Sequence, residues 1–205
     1  MTLCHITDAL NQTSPVCRLR SLLARGESVM VQAVTPPLKP AVAAAIAMDR
    51  PGPTLVIVPR EDRADSFTTS LAEWLPRDAA IHRWPPADAL PYEQLPLDRW
   101  NAGRRVALLD KLGQAESAAP FVIVASAAAI TQRVLHAAEL SQHVRLLKPG
   151  QRVDLDELRG WLASQGYEPV ALVQEPGTLA RRGGILDLFP PGADQPVRID
   201  FFGDE

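Results

Sequence analysis

Lysine is scarce in this chain. Lys39, Lys111 and Lys148 are the only three in a basic total of 21, set against 24 acidic residues and a net charge of −3. The arginine excess reads as genomic base composition. A free-standing nucleic-acid binder would carry a basic balance, and this chain does not. Cysteine is nearly absent: Cys4 and Cys17 have no C-x-x-C spacing, which argues against a disulfide framework and predicts reduced thiols in a cytoplasmic protein. His5, His82, His136 and His143 are dispersed, so no metal site is expected. No apolar run reaches the ~18 residues of a membrane span. The start of the chain lacks a signal peptide's basic and apolar regions, so no membrane partner is expected. Glycine is missing where a phosphate loop would need it. Such a loop uses glycines to bring N–H groups to phosphates, then Lys, then a hydroxyl for magnesium. The strand-to-helix connection here reads Thr35-Pro36-Pro37-Leu38-Lys39-Pro40, in which three prolines remove donors and Pro40 takes the hydroxyl's place. No G-x-S-x-G nucleophile motif is present. No catalytic residue, cofactor site or metal site is expected in this chain.

What is present is alternation of strand and helix. Residues 1–17 are mixed and weakly periodic, and 1–24 read as a loosely ordered leader. Val29–Val34 is a strand candidate, followed by an Ala-rich helix over Pro40–Met48 that Pro51-Gly52-Pro53 ends. Thr54–Val58 and Ala79–Trp84 read as strands around a helix at Glu61–Trp74. Asp98 can cap a helix running to Gln114, and Phe121–Val124 is a strand leading to a helix around Ala127–Leu135. This order predicts a parallel sheet covered on both faces, over residues 25–147. From 148 to 205 a small α+β unit follows. Its helix, Asp154–Ala163, places Leu155, Leu158, Trp161 and Leu162 on one face, with Asp154 and Glu157 at capping-box spacing. Strands are expected at Pro169–Val173, Gly184–Phe189 and Val197–Phe202.

The last of these strands carries the most information. Alternation puts Val197, Ile199 and Phe201 on a core face and Arg198, Asp200 and Phe202 on the other. An ion pair beside a large aromatic is an odd choice for a purely solvated surface. Arg and aromatics dominate binding hot spots, so this strand looks built to meet a partner.

The stretch RGGILDLFPPG…PVRIDFFGDE resembles the signature of the second domain of the bacterial transcription-repair coupling factor (Mfd) family, and UvrB has a diverged form of it. GYEPVALVQEPG at Gly166–Gly177 and LPYE at Leu90–Glu93 fall in that family's order, so the resemblance spans roughly residues 25–205. Thr178 and Leu179 depart from it, standing where an acidic residue and an aromatic are common.

The resemblance implies a degenerate helicase-like α/β domain followed by a UvrB domain 2-like α+β domain truncated on its C-terminal side. It implies a non-catalytic interaction module that recruits UvrA to RNA polymerase stalled at lesions. ATP, magnesium, polymerase and DNA would be engaged by domains beyond Glu205. It also implies UvrA contacts at Arg182, Arg198 and Phe202, with Asp200 read as the residue holding Arg198. The alternative is a UvrB-type ATP-dependent repair helicase subunit. That reading wants a working phosphate loop and a long aromatic hairpin, whereas Trp84–Asp98 holds one tyrosine, Tyr92, which reads as a packing residue.

Overall fold

The computed structural model describes residues 3–50, 52–86, 98–114 and 120–202. In chain order the elements begin with α1 (Cys4–Asn11), α2 (Ser14–Ala24), a 3-10 turn (Pro36–Leu38), α3 (Lys39–Asp49) and β1 (Pro53–Val58). Next come α4 (Glu61–Trp74), β2 (Ala80–Trp84), α5 (Arg99–Gly113), β3 (Phe121–Ser126), α6 (Ala127–Ile130) and α7 (Ala137–Ser141). The last are α8 (Leu155–Ser164), β4 (Glu168–Pro169), β5 (Thr178–Arg182), β6 (Ile185–Leu188) and β7 (Val197–Asp200). They fall into two units: one takes Met1–Pro86 and Gln114–Gln132, the other Ala87–Gly113 and Arg133–Glu205.

The first unit is built on a parallel sheet of order β1-β3-β2. Helices α3 and α4 lay Ala44, Ala47, Ala64 and Leu71 onto one face of it, against Val58, Val122 and Val124. Small residues on α3 let that helix lie close. Arg83, on the same face of β2, reaches Glu61 and Asp65 of α4. The expected cover on both faces stops short at the edge strand, where Leu55 and Ile57 remain half exposed.

Residues 3–24 are not a loose leader. Leu3 donates its N–H to the Glu73 carbonyl, and the buried Thr7 hydroxyl donates to the Trp74 carbonyl, so α1 is tied to the end of α4. Val29–Val34 is not a strand either: Met30 and Val31 are exposed, and Ala33 takes a positive φ of 61°. Apolar composition suits a strand, but a strand also needs a hydrogen-bonded neighbour, and none of the described residues pairs with this segment.

The second unit has a mixed sheet of order β4-β5-β6-β7, in which β5, β6 and β7 run antiparallel. Helix α8 starts as expected: the Asp154 carboxylate accepts the Glu157 N–H at 2.7 Å. Such a cap contributes about 1 kcal/mol. Leu158 and Leu162 pack onto Leu179, Leu186 and Leu188. The expected Pro169–Val173 strand shrinks to Glu168–Pro169, held to β5 by the N–H groups of Glu168 and Val170 on the Gly177 and Leu179 carbonyls. The helix at Ala127–Leu135 ends at Ile130, and His136 caps the separate α7. The boundary expected between 147 and 148 falls inside the second unit, which also claims α5.

Candidate docking face

Strand register decides which side chains share a side of the second sheet, because residues directly paired across strands face the same way. Leu179, Leu188 and Val197 form one row and Arg181, Leu186 and Ile199 another. Both rows face α8, as the core contacts of Leu179, Leu186, Leu188 and Ile199 require. The Arg181 guanidinium marks the same side by reaching Asp156 of α8 at 2.7 Å. The alternate rows, Ala180–Asp187–Arg198 and Arg182–Ile185–Asp200, face away from α8.

Phe202 extends this second face. The Phe201 N–H still bonds to the Gly184 carbonyl at 2.9 Å, and Phe201 packs into the core, so alternation turns Phe202 outward. It is 84% exposed, an unusual state for a phenylalanine. Arg182, Arg198, Asp200 and Phe202 therefore share one side of the sheet, while the neighbouring Arg181 lies on the other.

The expected role of Asp200 is corrected. Arg198 is held by Asp187, its direct partner on β6, through Nε to Oδ1 at 2.6 Å and Nη2 to Oδ2 at 2.9 Å. Geometry explains the choice: residues two apart on a strand lie about 6.5 Å apart, whereas cross-strand partners have Cβ atoms at about 5 Å. The Arg198 bonds hold the Asp187 carboxyl below the usual carboxylate range, against a smaller opposing effect of burial. The same bonds raise the Arg198 guanidinium, and Asp200 adds only the smallest contribution, through its charge. Sequence reasoning missed Asp187 and Ile185. The alternation within Gly184–Phe189 sets both opposite Leu186 and Leu188, but only the register of β6 against β7 puts Asp187 beside Arg198.

Other elements of the second unit stiffen this sheet. Arg99 of α5 bonds to the Gly177 carbonyl at 3.3 Å and pairs with Glu168 at 2.6 Å. Trp100 meets Phe189 edge-to-face, with centroids 5.2 Å apart. Thr178 and Leu179, the two departures from the family pattern, are buried within β5.

Elsewhere, the Thr35–Pro40 segment forms a 3-10 turn running into α3 with Pro40 buried at the helix start. Among the described residues no group of His, Cys, Asp and Glu could hold a metal ion. No described helix is long and apolar enough to cross a membrane. Tyr92 and the rest of LPYE lie outside the described residues.

The family model described as the UvrB interaction domain matches residues 146–205, which include all of β4 to β7. The transcription-repair-coupling factor of Escherichia coli strain K12 is 31% identical over 191 residues, covering 88% of this chain. This chain is a homologue of part of the transcription-repair coupling factors. The coupling factor of Myxococcus xanthus is 29% identical over 195 residues, and that of Bacillus subtilis strain 168 is 29% identical over 162. These alignments cover 93% and 78% of the chain. The chain spans only about 15% of the length of the Escherichia coli coupling factor and 16% of the Myxococcus one.

Proposed function

We propose that this chain is the UvrA-docking segment of a transcription-repair coupling factor. The observation that carries the reading is the shared side of Arg182, Arg198 and Phe202, on a sheet lying wholly within the matched residues 146–205. Chemically the face is suited to a protein partner. A guanidinium forks onto carboxylates or backbone oxygens, and an exposed phenylalanine releases water on docking. The segment itself performs no catalysis, takes no nucleotide and works in the cytoplasm. Stalled RNA polymerase, DNA and ATP are engaged through the remainder of such a coupling factor. The proline-rich start of α3 weighs against the UvrB-type rival, because a phosphate cradle needs the N–H groups those prolines lack.

Titration of UvrA against single variants tests the reading. Arg182→Ala, Arg198→Ala and Phe202→Ala are each expected to weaken binding roughly 30-fold, the scale of a hot-spot truncation. Thermal unfolding should stay close to that of the parent. Three variants that all bind like the parent would remove the docking reading.

A further inference from the structure

The two arginines of the docking face are in different states. Arg198 spends Nε and Nη2 on Asp187 and keeps Nη1 as a free donor among the described residues. Its side chain is 58% accessible, whereas that of Asp187 is 19% accessible on the inner strand β6. The carboxylate is therefore largely withdrawn from a partner, with each of its oxygens taking one bond from Arg198. Arg182 has one hydrogen bond, from Nη2 to the Ala171 carbonyl at 3.2 Å, and no carboxylate partner among the described residues.

We propose that Asp187 is a positioning residue of the docking face: it lays the Arg198 guanidinium across β6 and β7 with its free edge outward, while Arg182 supplies the charge that meets an acidic group of the partner. This rests on the UvrA reading above. The physical reason is preorganisation. An exposed arginine carries large rotamer freedom, and fixing its plane before docking lowers the ordering cost at contact. A bidentate fork sets both direction and plane, which a single charge contact such as that from Asp200 does not. Arg182 is the complementary case: no carboxylate bonds to it among the described residues and its charge acts on Asp187 only weakly, so it is available for long-range attraction. Such attraction is screened over about 8 Å at physiological salt.

A double-mutant cycle on UvrA affinity separates the two ideas. Asp187→Ala should weaken binding by about the same factor as Arg198→Ala, on the order of 30-fold, and the double variant by little more than either. The swap Asp187→Arg with Arg198→Asp restores an ion pair between the strands but moves the guanidinium to β6. Its thermal unfolding should stay close to that of the parent while binding stays weak. Arg182→Ala should flatten the salt dependence of affinity, and Asp187→Ala should not. If Asp187→Ala binds like the parent, or if the swap restores binding, Asp187 has no positioning role even though Arg198→Ala still weakens the complex. If Arg198→Ala, Arg182→Ala and Phe202→Ala all leave binding intact, the docking face itself is wrong.

Discussion

A single residue, Leu186, shows how the second sheet separates stability from recognition. It is fully buried between α8 and the neighbouring strands, while Ile185 and Asp187 on either side face the other way. Leu186→Ala would leave a cavity costing about 2–5 kcal/mol. Chemical denaturation is expected to show a loss in that range with no change in UvrA affinity at temperatures where the variant is folded. A loss under 1 kcal/mol would mean that α8 settles into the space. Phe202 is the converse: at 84% exposure it has little packing to lose, so its truncation should cost recognition and not stability.

Among elements, α5 docks against the Pro190–Gly192 turn closely enough to leave no room for a side chain at Gly103 or Gly192. A Cβ on Gly103 would come within 2.8 Å of the Gly192 nitrogen, and one on Gly192 within 2.2 Å of the Ala107 Cβ. Gly192 also holds a φ of 77°, which an L side chain rarely adopts. Gly192→Ala therefore combines backbone strain with a clash, and a loss of about 2–4 kcal/mol is expected in thermal or denaturant unfolding. A variant as stable as the parent would show that α5 is free to move off the turn. Periodicity made most helices and inner strands legible, and Glu61–Trp74 and the Asp154 cap emerged as read. Pairing was not legible. Thr178–Arg182 became a strand although it ends in two exposed arginines, because its buried half is fixed by β6 and not by its own pattern. Val29–Val34 failed for the converse reason, having the composition without a neighbour. On the candidate face, alternation alone placed Arg198, Asp200 and Phe202 together, but the Asp187 contact depends on register between strands nine residues or more apart.

For the whole molecule, charge and layout set what the chain does by itself. With 24 acidic residues against 21 basic ones, its overall charge does not favour tight DNA binding. Binding to duplex DNA should be weak, indifferent to damage and lost as salt rises toward ~150 mM, as a filter or anisotropy titration would show. Sub-micromolar affinity with preference for damaged duplex at that salt would instead favour the UvrB-type rival. The layout has its own consequence. The second unit takes Ala87–Gly113 and Arg133–Glu205, while Gln114–Gln132 between them belongs to the first, so the second unit is not contiguous in sequence. The family match begins at residue 146, yet Trp100 closes over Phe189 and Arg99 ties down Gly177. A gene segment cut at that match would encode every residue of the proposed docking face and still omit the α5 side chains that meet Phe189, Gly177 and Glu168. A piece that carries the face together with its support must reach back to a helix some 45 residues earlier, which makes the structural unit larger than the piece that similarity marks out.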